Sequence, residues 1–261
     1  MWTCGYGRCV SIDLNADLGE GYGVWRSGDD DALLEVVTSA NIACGFHAGD
    51  PTIMRRTCER AAARGVAIGA QVGYLDLAGF GRRHIEVPPE DLAADVLYQL
   101  GALAAIARAA GTRVRYVKAH GALYNKAADD PMQAAALAAA VSDFDVTMPL
   151  LGLASSQMQD AAQAAGLHFF AEAFADRAYL PNGRLVPRTQ AGAVHDDRFV
   201  ILAQAVSIAR FKRVTAIDGT QIPIDARSLC IHGDTPDAAQ LARQIRVTLD
   251  DAKVSLAPFI A

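Results

Sequence analysis

The stretch SIDLNADLGE, from Ser11 to Glu20, decides the fold. Ser11 to Leu14 reads as a short strand, and titratable and amide side chains crowd in straight after its apolar start: Asp13, Asn15 and Asp17 at a spacing of two, then Glu20. In extended backbone that spacing points all three in one direction. The same arrangement, a short apolar run followed by polar residues, recurs down the chain. A second strand runs into Asn41 to Cys44 and is followed by GFHAGD, with His47 and Asp50. A third, Val66 to Ala70, is followed by Gln71 and Asp76. A fourth, Val114 to Lys118, closes on His120. Thr147 to Leu153, His168 to Ala171 and Leu229 to Ile231 read as further strands; Glu172, Asp176 and Arg177 follow the second of these, and His232 and Asp234 the third. Val214 to Ile217 is an additional strand candidate.

Between these runs the period changes from two to 3.6. Leu92, Val96, Leu100, Leu103 and Ala107 share one face of a helix that Pro88-Pro89 opens and Gly111 closes. Asp50-Pro51 reads as an N-cap with proline at the first helical position, and Gly65 ends that helix. The Ala-rich segment Gln133 to Val141 is a strong helix former, and Leu241, Ile245 and Leu249 form a last apolar stripe. Alternating strands and helices predict an α/β fold, a parallel β/α barrel, in which all strand C-termini open on one face. The polar clusters would then meet at one mouth. No linker or low-complexity segment divides the chain, so residues 11–261 are expected to form a single domain behind a short N-terminal extension, residues 1–10.

The composition limits the function. Of 261 residues, 52% are hydrophobic, enough for a substantial core; net charge is -5 and no basic run or stripe occurs, which argues against nucleic acid and anionic membranes as partners. The apolar runs are shorter than a membrane span and the N-terminus has no secretory core, so a cytoplasmic protein is expected. Cys4 and Cys9 have a spacing with little metal-binding character, while Cys44, Cys58 and Cys230 lie in apolar segments and read as reduced core residues.

For chemistry, carboxylates gathered round imidazoles could polarise a water or hold a divalent cation, and Lys118 could neutralise an anionic group. Asp17, His47, Lys118 and His120 are the catalytic candidates. Asp13, Asn15, Gln71, Arg82, Glu172, Arg188 and His232 are the substrate-binding candidates. Each has an ordinary alternative: Asp50 and Asp234 as helix caps, a lone histidine as a satisfied core group, an arginine as a solvated surface group. His84, His168 and His195 lack polar company. Gly19 to Gly23 and Gly79 to Gly81 could cradle a phosphate, but neither fits a phosphate-loop or dinucleotide pattern, and tight turns explain them equally well.

At these same segments the chain resembles the LamB/YcsF family, the A component of bacterial 5-oxoprolinases. The resemblance rests on IDLNADLGEGYG (Ile12 to Gly23), SANIACGFHAGDP (Ser39 to Pro51), GFGRR (Gly79 to Arg83), VKAHGALYN (Val117 to Asn125), EAFADRAYLPNGRLVPR (Glu172 to Arg188) and CIHGDTP (Cys230 to Pro236). It departs where Gly69-Ala70-Gln71-Val72 replaces the family's Gly-Ala-His-Pro, at Leu75, and at Ala119, where a proline is usual. Gln71 does not titrate and is a poor metal ligand.

The resemblance implies a distorted β/α barrel, similar to those of the glycoside hydrolase/deacetylase superfamily. It also implies ATP-dependent cleavage of 5-oxoproline to L-glutamate in a complex with B and C subunits, with ATP bound mainly by those partners. A divalent cation and a homo-oligomer are left open. Asp17, with His47 or His120, would prepare the water while Lys118 and an arginine hold anionic groups. Two rivals are a metal-dependent deacetylase or amide hydrolase, and a non-catalytic substrate-binding subunit.

Overall fold

Strand β1 (Val10–Leu18) carries Ile12, Leu14, Ala16 and Leu18 on one face and Asp13, Asn15 and Asp17 on the other, and both faces are buried. A strand with that pattern needs helices on one side and a polar interior on the other. The computed structural model, which describes residues 10–233 and 237–260, supplies both. Cys4, Cys9 and Asp234 lie outside the described residues.

Strands β2 (Ser39–Ala43), β3 (Ala67–Val72), β4 (Val114–Ala119), β5 (Leu150–Leu153) and β6 (Phe169–Phe174) follow β1 in spatial order, every neighbouring pair parallel. Two short strands, β7 (Arg213–Thr215) and β8 (Gln221–Pro223), form a separate antiparallel pair, so the expected extra strand near Val214 lies outside the barrel. Strand β9 (Ser228–Ile231) joins β6 to β1 and closes a seven-stranded parallel barrel. The last strand, β10 (Val254–Leu256), pairs with Val10 to Ile12 at the start of β1. The barrel is distorted in that the step from β6 to β9 replaces a simple βα unit with a long excursion.

The helices are α1 (Asp30–Leu34), α2 (Pro51–Arg64), α3 (Pro89–Ala109), α4 (Gly121–Asp129), α5 (Pro131–Phe144), α6 (Gln157–Ala164), α7 (Arg198–Phe211) and α8 (Ala238–Asp251). Their ends follow local chemistry. Asp50 accepts from the backbone N–H groups of Thr52 and Ile53, with Pro51 beginning α2 and Gly65 in the left-handed region ending it. Asp130 caps α5 in the same way ahead of Pro131. Helix α3, with 21 residues, is long and apolar enough in composition to cross a membrane, which a reading by unbroken apolar runs passes over. Here its stripe of Leu92, Val96, Leu100, Leu103 and Ala107 is buried, and it packs against α2, α5, β3 and β4.

Several strands run further than their apolar residues suggested. Strand β3 extends through Gln71, β1 through Asp17, and β6 takes in Glu172. Strand β5 starts at Leu150, three residues later than expected. The polar residues that looked like strand ends are therefore partly barrel lining. The interior is stratified. At the N-terminal end of the strands Tyr116, Leu151, Phe170 and Phe259 form an aromatic plug, Phe259 lying 4.9 Å from the Tyr116 ring and 5.0 Å from that of Phe170. Above it sit Asp13, Asn15, Asn41, Gln71, Lys118, Glu172 and Ser228, all buried.

Gly69 on β3 makes this possible, since a Cβ there would overlap the Tyr116 ring on β4. Gly69→Ala should therefore cost about 1–3 kcal/mol of stability, the range for overpacking a filled core. A lowered urea midpoint with an unchanged slope would show it. A variant as stable as the parent would mean the Tyr116 ring has room to move.

Candidate active site

Lys118 projects from β4 into the barrel, where its side chain is 3% exposed. Its Nζ lies 3.0 Å from Glu172 Oε2 and 3.3 Å from Asp17 Oδ1, donates to Cys230 Sγ at 3.1 Å, and sits 5.4 Å from the Phe174 ring centre. Burial opposes the charged ammonium, but Asp17, Cys230 and Glu172 together hold its pKa well above the ordinary value. Burial likewise opposes the Asp17 carboxylate, and Lys118, His232 and the Asn41 amide outweigh it, holding Asp17 below its usual range. Glu172 goes the other way: burial dominates over Lys118 and raises it. Lys118 thus pairs with both carboxyl groups, Asp17 held below its ordinary value and Glu172 above it.

Amides and hydroxyls lock this group in place. Asn41 donates to both Asn15 Oδ1 (2.7 Å) and Asp17 Oδ1 (2.8 Å), and accepts from the Tyr116 hydroxyl at 2.6 Å. Asn15 donates to Ser228 at 2.6 Å, and Ser228 donates in turn to Asp13. Asp13 also accepts from Thr38 (2.5 Å) and Ser39 (2.6 Å). Burial still prevails over these hydroxyls, and the Asp13 carboxyl is raised to about 6.

Above this network opens a cavity of about 750 Å³, lined by Asp17, Lys118, His120, Tyr124, Phe174 and His232 and, further out, by four arginines. Of the sequence candidates, Asp17, Lys118, His120, Arg82, Arg188 and His232 reach it. Asp13, Asn15, Gln71 and Glu172 are fully buried and do not line it; they support the floor. His47 is also fully buried behind His120, the two rings stacked at 4.1 Å.

The pairing that sequence reasoning missed is Asp176 with His232. His232 follows β9 and Asp176 follows β6; their separation is 56 residues, yet His232 Nδ1 lies 2.8 Å from Asp176 Oδ2. The imidazole stacks on Phe174 at 5.5 Å and 17°. Burial works against the Asp176 carboxylate, but His232, Arg177 and Arg188 hold it low. A buried carboxylate on Nδ1 fixes the ring and leaves Nε2 as the working nitrogen. Both residues stood in strand-end clusters, but nothing in the sequence spacing joins them.

The glycine-rich segments are turns. Gly19 N–H donates to Asp30 and Gly23 N–H to Asp50, so carboxylates occupy two of the donors that a phosphate would need. In GFGRR, Asp76 caps the turn and pairs with Arg83, and Gly81, at φ +64°, leaves room for both histidine rings.

Glu20, His47 and His120 are the donor group among the described residues best suited to a divalent cation; one ligand atom of each lies within 4.8 Å of the others. The donor types fit zinc or a similar ion. Burial, foremost, drives His47 down to about 4 and His120 well below its ordinary value, so both rings are neutral and able to ligate. His120 Nε2 and Glu20 Oε1 lie 3.6 Å apart, a separation that two bonds of about 2.0–2.2 Å to one ion allow. Gln71 also occupies the gap, bonded to His47 Nε2 (3.2 Å) and Glu20 (3.1 Å). His47 Nδ1 and His120 Nδ1 are buried without a hydrogen-bond partner.

Comparison with known proteins covers almost the whole chain. The LamB/YcsF family pattern matches residues 12–261. The chain is 58% identical to the A subunit of the 5-oxoprolinase of Mycolicibacterium gilvum, over 95% of this chain and 99% of the relative. It is 57% identical to the protein of the same name from Streptomyces avermitilis, with the same coverage. Among solved structures, the lactam utilization protein of Thermus thermophilus superposes with a TM-score of 0.90 at 43% identity, covering 95% of this chain and 99% of that one.

The raised Asp13 carboxyl has a measurable consequence. A group whose folded pKa exceeds its unfolded value stabilises the fold at low pH and loses that contribution as pH rises through the folded value, here about 6. Between pH 7 and 5 the parent should gain about 1 kcal/mol relative to Asp13→Asn, which cannot titrate. Denaturation of both proteins at the two pH values measures it. A constant difference would show that Asp13 does not change protonation in that window.

Proposed function

The chain belongs to the LamB/YcsF family, and on that premise we propose that it is the A subunit of a cytoplasmic 5-oxoprolinase, opening 5-oxoproline to L-glutamate in an ATP-dependent complex with B and C subunits. The observation that carries the reading is whole-length identity of 58% to a relative of that name. The cavity fits it, with a buried cation, a carboxylate-oriented histidine and arginines round one space.

A five-membered lactam is a poor electrophile, so coupling to ATP has a chemical purpose. Phosphorylation of the amide oxygen turns the carbonyl carbon into a site that water can attack. No phosphate loop is recognisable in the sequence, so that step is assigned to the partner subunits. In this chain, His232, oriented by Asp176, takes the proton of the attacking water as the C–O bond forms. It returns that proton to the ring nitrogen, and the new hydroxyl gives up its own proton to the departing amine as its C=O forms and the C–N bond breaks. The acyl phosphate left behind is hydrolysed by a second water to the glutamate carboxylate and phosphate. Lys118 supplies positive charge at the floor, where negative charge develops on the substrate. Asp17, already paired with Lys118, positions the ammonium rather than accepting a proton, and His120 forms the wall beside it.

A metal-dependent amide hydrolase is the second reading, favoured by Glu20, His47 and His120. Tightly bound zinc, with turnover that needs neither ATP nor partners, would select it.

The deciding assay is ATP-dependent ring opening with each component omitted in turn. This chain alone should be inactive, and the full set active. In the full set, His232→Gln and Asp176→Asn should lower turnover by roughly a hundred- to ten-thousand-fold, the scale of general acid–base catalysis, with circular dichroism unchanged. Lys118→Met should weaken substrate binding as well as turnover. Parent-like rates in both His232→Gln and Asp176→Asn would return the base to another residue of the mouth.

A further inference from the structure

We propose that Glu20, His47, Gln71 and His120 form a binding site for one zinc-class divalent cation behind the cavity wall, where the ion braces the barrel mouth and does not touch the lactam. The site stands apart from the ring-opening chemistry, which uses His232 and Lys118.

Four neighbouring strands each deliver one donor. Strands β1, β2, β3 and β4 stand side by side in the barrel. Glu20 follows the end of β1, His47 the end of β2 and His120 the end of β4, while Gln71 lies within β3. One ligand atom of each of Glu20, His47 and His120 lies within 4.8 Å of the others. His120 Nε2 is 3.6 Å from Glu20 Oε1, and His47 Nε2 is 3.2 Å from Gln71 Oε1. Two donors bonded to one tetrahedral ion stand about 3.4 Å apart, close to both separations. The widest separation closes with an inward shift of under about 1 Å at each atom. Gln71 Nε2 donates to Glu20 Oε1 at 3.1 Å, so the amide orients the carboxylate with one end and offers its oxygen with the other.

The two imidazoles turn their ε nitrogens to this cluster. A polar ring buried as ordinary core packing has its nitrogens hydrogen-bonded. Here Nδ1 of both His47 and His120 is buried with no hydrogen-bond partner. Packing fixes the rings instead. They stack at 4.1 Å and 16°, and the Phe80 ring stands edge-on to both. Two glycines make room for them: a Cβ on Gly73 would lie 2.8 Å from His47 Nδ1, and one on Gly81 would lie 2.9 Å from His120 Nδ1. With the Nδ1 edges against glycine backbone, the Nε2 atoms are left beside Gln71 and Glu20.

The donor set selects the ion. Two imidazoles and a carboxylate suit zinc, whereas magnesium and calcium take oxygen ligands. The amide oxygen of Gln71 is a weak fourth donor, so the affinity is modest. Position decides what the ion does. Of the four residues only His120 lines the cavity; Glu20, His47 and Gln71 lie behind it. The ion therefore ties the loops after β1, β2 and β4 to β3 and fixes the His120 ring in the wall, while Lys118 and His232 face the substrate.

Zinc is the probe, with cobalt as its coloured substitute. The untagged full-length chain, stripped with a chelator and dialysed, should bind one zinc ion saturably by calorimetry. Its cobalt form should show the intense visible bands of a four-coordinate site. His47→Gln and Glu20→Gln should each weaken zinc about a hundredfold or more, at or beyond the cost of losing a supporting residue. Gln71→His, which puts an imidazole in place of the weak donor, should tighten it about tenfold or more. Replacing both Cys4 and Cys9 by Ser should change nothing. Zinc should also raise the thermal midpoint of the parent but not that of His47→Gln. The parent titration needs no variant, so it decides even where a variant misfolds: no saturable binding overturns the site, whether or not the complex opens 5-oxoproline. Binding that survives both His47→Gln and Glu20→Gln, is lost with the two cysteines, or is indifferent to Gln71→His overturns it too. Turnover that needs zinc but neither ATP nor partners overturns the bracing role, because the ion would then reach the substrate. Zinc bound as described, with ring opening still dependent on ATP and partners, upholds the site and the role together.

Discussion

The ammonium of Lys118, buried between Asp17 and Glu172, is the interaction on which the rest of the barrel interior depends. Removing a charge from water costs several kcal/mol, and only close partners offset it. Asp17 at 3.3 Å and Glu172 at 3.0 Å meet that requirement from strands on opposite sides of β4 in the barrel order. Those two carboxylates then need their own anchors, which explains Asn41 on Asp17, Asn15 on Glu172, and the chain through Ser228 to Asp13 below. One buried cation thereby ties β1, β2, β4, β6 and β9 into a single polar layer. Below it the aromatic plug of Tyr116 and Phe259 closes the barrel, and above it the cavity opens.

The seven-stranded closure matters for function as much as for shape. Where a regular barrel would place one more βα unit, this chain spends the residues between β6 and β9 on an excursion that bends over the mouth. That segment brings Asp176 to His232 and carries Arg177 and Arg188 to the cavity wall. The floor is thus the work of the strands, and much of the cavity wall above it comes from one loop. A closely bonded floor under a loop-built wall allows a small substrate to be held by its charges while the imidazole works from the side.

Much of this was legible in the sequence. Recurrent strand-then-polar segments placed Asp17, Lys118, His120 and His232 at one mouth, and Asp50-Pro51 with Gly65 marked α2 to the residue. The motifs from Ile12 to Pro236 identified the family. What the sequence could not show was depth. Period-two alternation says that Asp13 and Asn15 share a face with Asp17, but not that this face is a polar barrel interior rather than an open mouth. Strands β1, β3 and β6 therefore looked shorter at their C-terminal ends than they are. His47 looked equivalent to His120, but stacking hides it behind the ring that meets the cavity. The Asp176–His232 pair was invisible because only the closure of β9 onto β6 brings two distant strand ends together.

A double-mutant cycle on Lys118 and Glu172 tests the central claim most directly. Lys118→Met alone leaves two carboxyl groups facing each other without their cation and should cost about 3–5 kcal/mol of stability, as breaking a buried pair does. Adding Glu172→Gln removes one of those orphaned acids, so the double variant should be clearly less destabilised than the sum of the single ones. Additive and small effects, each within about 0.5 kcal/mol of neutral, would contradict the account, because the buried ammonium would then not be what organises the barrel.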